Sequence, residues 1–331
     1  MSDNRHSPRR DNSISDGFIL RYLEGLDTPR ALTVYLLYKY GEHQQLVDLE
    51  VDTSCEPYLG LRTFDRARMD YLATEFLSKA DFLNLQVDPK AVAVEKFLHS
   101  EASCRAANRR LNLVSNVADL PHVEKLNAAR WKIHRILGAF NPQEFIEKVS
   151  WGPGSTVSLR RDQRLAYDKF RLETGMNANS LRLWSSDLWN AAFPRWQPER
   201  VEQIAYLHTV PKNSKTDRCI MIEPGISTML QLGLGKMLRS RLRRVGIDLR
   251  HQADVHRALV PTIARSGELA TVDFSAASDS ICRRLVEWLM PDDWLKVLES
   301  HRSGDVRMPD GEIRHLEKFS SMGNGFTFEL Q

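Results

Sequence analysis

The chain has 331 residues, a net charge of +3, and 42% hydrophobic and 27% charged residues. This composition excludes a disordered or fibrous protein and is typical of a globular protein of about two domains. Its four cysteines form no Cys-x-x-Cys pair, so neither a zinc knuckle nor a disulfide framework is indicated. No apolar run approaches the roughly 18 residues of a membrane span, so we expect no membrane association.

The first 200 residues carry mainly helical patterning. Residues 1–16 are polar and charged, which predicts a flexible leader and not a signal peptide. From residue 17 to about residue 193, apolar residues recur at intervals of three and four, as in amphipathic helices. The predicted helices cover residues 18–26, 31–40, 92–98 and 181–192.

One loop within this helical region has the composition of a nucleic-acid contact. Trp151 opens the stretch WGPGST, and Arg160 and Arg161 follow it. A stacking aromatic ring, flexible glycines and nearby cations suit a single-stranded template. The alternative, which the sequence slightly favours, is a structural turn.

After residue 200 the pattern changes to α+β. Strands are predicted at 204–210, 219–222 and 269–274, helices at 228–245, 281–290 and 292–300, and a hairpin at 306–308 and 312–319 around a Pro-Asp-Gly turn. The fold class predicted for the whole chain is therefore α+β, with a mostly helical region before the strands.

A basic segment stands out in this nearly neutral chain. Residues 207–250 contain nine basic and three acidic residues, a net charge of +6. Such a concentration suggests a polyanion partner, and a solvated helix face explains it equally well. Arg241 and Arg244, in the cluster RSRLRR, are candidate contacts to an RNA backbone.

Three further stretches carry candidate chemistry, each with a simpler alternative. Lys212, Lys215 and Arg218 could clamp a triphosphate, or they could be solvated surface cations. Asp273, at the end of a predicted strand, could hold Mg²⁺ or could be an ordinary loop aspartate, and Asp279 could merely cap the next helix. The third stretch is SSMGNGFTF, where two glycines permit close backbone approach to a ligand or form a common glycine-rich turn.

The order of these stretches is more specific than any one of them. Cations, then Asp-x5-Asp, then a Ser/Gly/Asn loop about 45 residues later resemble motifs F, A and B of RNA-dependent RNA polymerases. The chain resembles the replicase subunit of single-stranded RNA bacteriophages, the levivirus group, in the stretches VPKNSKTDRCIMIEPG, ATVDFSAASDS and SSMGNGFTFEL. The resemblance extends from about residue 210 to the end.

This resemblance implies a right-hand polymerase with an incomplete palm. Residues 17–200 would form the helical N-terminal and fingers region, residues 201–258 fingers with motif F, and residues 259–331 a partial palm with motifs A and B. It implies triphosphate contacts by Lys212, Lys215 and Arg218, a Mg²⁺ ligand and catalytic role for Asp273, and ribose contact by Asp279. The motif B loop would comprise Ser321, Gly323, Asn324 and Thr327.

Two departures from the family pattern limit what the resemblance implies. Asn324 is a candidate reader of the ribose 2′-hydroxyl, yet the usual motif B asparagine is replaced by Gln331. The chain also contains no Gly-Asp-Asp, the motif C source of the further carboxylates that a two-metal site needs. Asp292 and Asp293 are interpreted as charges at a helix N-terminus.

The resemblance also implies partners and a location. These are an RNA template, nucleoside triphosphates, host elongation factors Tu and Ts and a ribosomal protein, in the cytoplasm of an infected bacterium. A second hypothesis is that the 331-residue chain is a non-catalytic fragment that binds RNA or nucleotides. We expect the chain alone not to polymerise, because it lacks Gly-Asp-Asp.

Overall fold

The computed structural model describes residues 13–51, 64–80, 82–112, 120–159, 165, 167–169, 175–177, 179–180, 199–266 and 272–331. The chain divides into two compact units, each built from separate segments. The first comprises Met1–Val94 with Thr209–Arg218, and the second comprises Glu95–His208 with Cys219–Gln331. The predicted helix at 181–192 lies outside the described residues.

The first unit is a group of short helices. They are α1 Ser13–Leu26, α2 Pro29–Lys39, α3 His43–Asp48 and α4 Phe64–Glu75. Helix α2 begins where the Thr28 side chain accepts a hydrogen bond from the Ala31 backbone nitrogen at 3.1 Å, with Pro29 in the first turn. The predicted helices at 18–26 and 31–40 are confirmed.

The predicted leader of residues 1–16 extends too far along the chain. Helix α1 already begins at Ser13, and the Tyr38 hydroxyl donates a hydrogen bond to Asp16 Oδ1 at 2.5 Å. The recurring apolar pattern starts only at Phe18, because the first turn of α1 has a single apolar residue, Ile14. Residues 1–12 lie outside the described part of the chain.

The second unit is organised around one buried helix. Its helices are α5 Pro89–Asn112, which starts in the first unit, α6 Leu120–Leu137, α7 Pro142–Lys148, α8 Gly225–Arg244, α9 Gln252–Ser266, α10 Arg283–Leu289, α11 Asp292–His301 and α12 Thr327–Leu330. Helix α8 buries Met229, Leu230 and Leu234 in a core that also contains Phe145 and Trp294. A helix apolar on several faces is expected in such a central position.

The strands form two small sheets. In the first, β1 Gly175–Asn177 pairs in parallel with β2 Glu199–Val201. The second has the order β4-β3-β5-β6 and contains β3 Ile204–Asn213, β4 Thr216–Ile222, β5 Asp305–Arg307 and β6 Ile313–His315. Strand β5 runs parallel to β3 and antiparallel to β6. The α+β class is confirmed.

The strands predicted at 204–210 and 219–222 and the hairpin predicted at 306–308 and 312–319 are present, with different lengths. Strands β3 and β4 continue to a tight turn, because Asn213 Oδ1 accepts hydrogen bonds from the backbone nitrogens of Lys215 and Thr216 at 3.1 and 2.9 Å. The β5–β6 hairpin turns at Gly311, whose φ is 92°. The predicted helices at 281–290 and 292–300 are confirmed as α10 and α11.

Candidate active site

Asp273 lies on an exposed, irregular stretch. Residues 272–274 are in no strand, and the neighbouring side chains of Val272 and Phe274 are 73% and 76% exposed. The predicted strand is therefore not formed there, since no described strand pairs with these residues, and residues 267–271 lie outside the described part. Within that part the Asp273 carboxylate has no hydrogen bond or ion pair. Both of its oxygens can bind a cation.

A tight turn separates Asp273 from the following helix. Ala276 has a φ of 54°, a left-handed conformation that costs a residue other than glycine about 1 kcal/mol or more. A 3-10 turn, Ala277–Asp279, follows, and α10 begins only at Arg283. Asp279 therefore does not cap the helix. The N-cap is Cys282, whose side chain makes no capping hydrogen bond.

The Asp279 carboxylate is bound by a buried lysine. Lys318 Nζ donates a hydrogen bond to Asp279 Oδ1 at 2.8 Å and lies 3.7 Å from Glu101 Oε1. The same ammonium lies 3.6 Å from the centroid of the Phe97 ring. Burial raises the pKa of Glu101. Asp279 is thus held at one oxygen by a residue that the sequence analysis did not single out.

The predicted motif B residues lie together in a loop that leads into α12, whose first residue is Thr327. Asn324 Oδ1 accepts a hydrogen bond from the Ser321 backbone nitrogen at 2.8 Å, and Thr327 Oγ1 donates to the Ser321 carbonyl at 2.8 Å. Gly323 has a φ of 115°, and a Cβ there would lie 2.1 Å from the Met221 carbonyl oxygen. The loop is therefore packed directly on the backbone of β4.

Behind this loop is a buried carboxylate that the sequence analysis missed. Glu223 Oε1 accepts hydrogen bonds from Asn324 Nδ2 at 2.6 Å and the Ser303 backbone nitrogen at 3.2 Å, and Oε2 accepts from Ser303 Oγ at 2.5 Å. Burial raises the pKa of Glu223. The available signal was one charged residue between the apolar end of β4 and the apolar start of α8.

His301 and Gln231 extend this polar network into the core. Gln231 Oε1 accepts a hydrogen bond from the Gly325 backbone nitrogen at 3.0 Å, while Gln231 Nε2 donates to the His301 carbonyl at 2.8 Å. The His301 ring lies with Nδ1 2.6 Å from Ser180 Oγ, and burial lowers its pKa to about 3. This histidine is a neutral core residue.

The three predicted triphosphate ligands lie on the β3–β4 hairpin. Lys212 is in β3, Lys215 in the turn and Arg218 in β4. Lys215 Nζ is 3.0 Å from Asp48 Oδ1, so its charge is partly engaged. Lys212 and Arg218 are exposed and have no ion pair within the described residues.

The hairpin tip is anchored within the first unit. Both the backbone nitrogen and Oγ of Ser214 donate hydrogen bonds to the Ser78 carbonyl at 2.9 Å. Hydrogen bonds from Gln44 and Lys215 hold the pKa of Asp48 below its usual value. The cations are therefore presented on a fixed hairpin and not on a free loop.

The WGPGST loop is fixed by packing and hydrogen bonds within the protein. Trp151 is half-buried and packs against the core of the second unit. The buried Lys169 donates hydrogen bonds through Nζ to the carbonyls of Gly152, at 2.6 Å, and Gly154. This arrangement is the one expected of a structural turn. Arg160 and Arg161 lie outside the described residues.

The two arginines predicted to contact RNA lie in different surroundings. Arg241 is buried, and its guanidinium donates to the Leu137 carbonyl at 3.0 Å and to Glu144 Oε2 at 2.6 Å. It is therefore engaged inside the protein and not available to a phosphate. Arg244 is exposed and has no ion pair among the residues described.

The described residues contain no group of three or more His, Cys, Asp or Glu side chains arranged as a metal site. Asp273 is thus a single carboxylate. This fits Mg²⁺, which takes one or two protein carboxylates and completes its shell with water and substrate phosphates.

None of the described helices combines the length and apolar character needed to cross a membrane.

Comparison with known proteins gives consistent results. Residues 44–331 match a family model described as RNA replicase, beta-chain. The chain is 39% identical over 303 residues to the RNA-directed RNA polymerase subunit beta of Escherichia virus Qbeta, covering 89% of this chain and 50% of that relative. It is 40% identical over 282 residues to the same-named subunit of Enterobacteria phage SP, covering 81% and 47%.

A more distant relative shows the same partial coverage. The RNA-directed RNA polymerase beta chain of Enterobacteria phage fr is 30% identical over 306 residues, which cover 86% of this chain and 56% of that relative. The chain therefore spans about half the length of the relatives it matches.

Proposed function

Because the chain belongs to the RNA replicase beta-chain family, we propose that it supplies the fingers and part of the palm of a right-hand RNA-directed RNA polymerase. The reaction joins the α-phosphate of a nucleoside triphosphate to an RNA 3′-hydroxyl and releases pyrophosphate. The observation that carries the proposal is the exposed Asp273, whose carboxylate makes no hydrogen bond or ion pair with the described residues. Asp279 follows six positions later, with one carboxylate oxygen bound to Lys318.

Each group has a role that its surroundings support. Asp273 would hold Mg²⁺, which supplies positive charge that neutralises the triphosphate and activates the attacking hydroxyl. Lys212, Arg218 and, more weakly, Lys215 would bind the phosphates. Catalysis of this kind depends on positioning and electrostatic stabilisation.

The ribose contact is assigned to Asp279 and not to Asn324. Both ends of the Asn324 amide are occupied, Oδ1 by the Ser321 backbone nitrogen and Nδ2 by Glu223. A ribose hydroxyl would have to displace one of these buried hydrogen bonds, which costs about 1–3 kcal/mol. Ser321, Gly323, Asn324 and Thr327 are proposed to shape the loop against which a nucleotide binds.

The proposed partners are an RNA template and nucleoside triphosphates, with host elongation factors Tu and Ts and a ribosomal protein, in the cytoplasm of an infected bacterium. The template is proposed to be a positive-strand phage genome. The names of the relatives support an RNA template and nucleoside triphosphates, and the host partners rest on the sequence resemblance alone.

A second candidate is a non-catalytic RNA- or nucleotide-binding fragment. The absence of Gly-Asp-Asp from these 331 residues favours it for the chain taken alone. Two-metal nucleotidyl transfer needs a further carboxylate source besides Asp273. Under this second candidate the chain binds its ligands but transfers no nucleotide.

The test compares two forms of the protein: this chain, and a form extended beyond Gln331 by a segment that contains Gly-Asp-Asp. Templated incorporation of labelled nucleotides with Mg²⁺ is expected only from the extended form. Asp273→Asn should abolish it, while Asp254→Asn, which removes a carboxylate from the exposed face of α9, should not.

Incorporation by the 331-residue chain that depends on Asp273 would overturn the fragment candidate. An extended form that contains Gly-Asp-Asp yet neither binds nor incorporates nucleotides would overturn the polymerase proposal.

A further inference from the structure

Lys318 is fully buried, and its side chain ends between two carboxylates. The ammonium group lies 2.8 Å from Asp279 Oδ1 and 3.7 Å from Glu101 Oε1, and 3.6 Å from the centroid of the Phe97 ring. A buried ammonium is strongly unfavourable unless opposite charges and hydrogen bonds compensate it. These contacts therefore fix the position of Nζ.

The backbone that carries Lys318 is fixed as well. Glu101 Oε2 accepts a hydrogen bond from the Glu317 backbone nitrogen at 2.6 Å, and Asn108 Nδ2 donates to the Glu317 carbonyl at 2.8 Å. On the other side, Lys318 forms an isolated antiparallel bridge with Cys282. The lysine is thus held between α5 and the residues that lead into α10.

The contact makes the two oxygens of Asp279 inequivalent. Oδ1 is bound to Lys318, whereas Oδ2 accepts no hydrogen bond from the described residues, and the side chain is 23% exposed. An ionised carboxylate oxygen is an acceptor only, and a ribose hydroxyl can donate to it. Asp279 therefore offers one acceptor at a defined place.

We infer that Lys318 is the positioning residue for ribose selection: it binds Asp279 Oδ1 so that Oδ2 meets the 2′-hydroxyl of the incoming nucleoside triphosphate. The inference rests on the proposed function and deepens it. A 2′-deoxynucleotide lacks the donor and leaves Oδ2 without a partner. Sites built around a substrate hydroxyl reject analogues that lack it for this reason.

The experiment measures binding of ATP and 2′-deoxyATP to the 331-residue chain by equilibrium dialysis in MgCl₂. The wild-type chain is expected to prefer ATP about tenfold, the effect of one charged hydrogen bond. Lys318→Met, of similar length and without charge, should bring the ratio of the two dissociation constants close to one.

Glu101→Gln is the matched control. It removes the second carboxylate beside Lys318 but leaves the contact with Asp279. Both variants are expected to lower the melting temperature, because each disturbs the buried cluster. Only Lys318→Met should lower the preference for ATP, and this separates positioning from a merely structural role.

Lys318→Arg covers the case in which Lys318→Met does not fold. It keeps the charge, but a guanidinium can bind both oxygens of a carboxylate, so the preference for ATP should fall while folding is retained. If the folded variant, methionine or arginine, keeps the wild-type preference, the inference about Lys318 is wrong. If the wild-type chain binds both nucleotides equally, the inference about Lys318 is also wrong. If it binds neither, the non-catalytic binding candidate is wrong, and the dialysis is repeated with the form extended beyond Gln331. An extended form that binds neither nucleotide would overturn the proposed function and the inference together.

Discussion

At the scale of single residues, the backbone conformation and close packing at Gly323 leave no room for a side chain. Its φ is 115°, and the nearest obstacle to a Cβ is the Met221 carbonyl at 2.1 Å. We predict that Gly323→Ala lowers the free energy of unfolding by about 3 kcal/mol or more, measured by urea denaturation. The control is Gly304→Ala, whose Cβ would meet only His315 Cε1 at 3.7 Å. Equal losses in both variants would contradict the prediction.

His301 gives the stability a defined pH dependence. Its pKa is lowered from 6.5 to about 3 by burial, so below pH 6.5 the unfolded chain takes up a proton that the folded chain does not. The stabilisation is complete above pH 6.5 and is lost as the pH falls toward 3. Between pH 6.5 and 5 the loss from this group is about 2 kcal/mol.

The measurement compares urea denaturation at pH 6.5 and 5 for wild type, His301→Gln and His256→Gln. The first variant should lack this part of the pH dependence. The second, at an exposed position on α9, should keep it. A His301→Gln variant with the full wild-type pH dependence would show that the proton is taken up elsewhere.

At the scale of elements, the three cations of the β3–β4 hairpin differ in whether a carboxylate is paired with them. Lys212 and Arg218 have no ion pair within the described residues, whereas Lys215 is paired with Asp48. We predict that Lys212→Ala and Arg218→Ala each weaken Mg·ATP binding about tenfold, as expected for a charge-assisted contact to phosphate. Lys215→Ala should have a smaller effect. Lys296→Ala, at an exposed position on α11, is the control, and a largest effect at Lys215 would contradict the prediction.

Local patterns predicted most of the elements that the structure describes. Apolar periodicity gave α1, α2, α10 and α11, and the Pro-Asp-Gly turn gave the β5–β6 hairpin. The strand predicted at 269–274 is not formed at residues 272–274. An alternating pattern of apolar residues indicates which face of a strand would be buried, but not whether a neighbouring strand pairs with it. Anchoring of the hairpin tip depends on Ser78, 136 residues from Ser214, which no local pattern can show.

The candidate site was predictable in its residue types but not in their partners. The order of Asp273, Asp279 and the Ser/Gly/Asn loop is visible in the sequence. Glu223 and Lys318 were missed because each acts through a contact made across distant segments, with Asn324 in one case and Glu101 in the other. A buried charge leaves no periodic trace, so only the folded chain identifies it.

At the scale of the whole molecule, ion pairs reduce the charge available for RNA. In the basic segment 207–250, Arg239 is bound by Glu329 and Arg241 by Glu144, while Arg243 and Arg250 share Asp248. The segment cations without an ion pair in the described part are Lys212, Arg218, Lys236 and Arg244. The surface charge is therefore lower than the sequence count suggests.

We predict that single-stranded RNA binds with a salt dependence set by these four cations. With a slope of about −0.7 per phosphate contact, affinity should fall about 50-fold between 50 and 200 mM salt, measured by fluorescence anisotropy. The double variant Lys236→Ala, Arg244→Ala should reduce the slope by about half. The control Arg243→Ala, Arg250→Ala removes two paired charges and should change it little. A salt-independent affinity would exclude this mode of binding.

The buried carboxylate of Glu223 also limits how early this part of the chain can fold during synthesis. Its partners are synthesised later: Ser303 follows by 80 residues and Asn324 by 101. At about 5–20 residues per second, they leave the ribosome about 4–20 s after Glu223. During that interval the carboxylate must stay hydrated, so the start of α8 cannot reach its final burial. The loop around Gly323 is thus a late product of translation, and a nascent chain cannot present it until Asn324 has emerged.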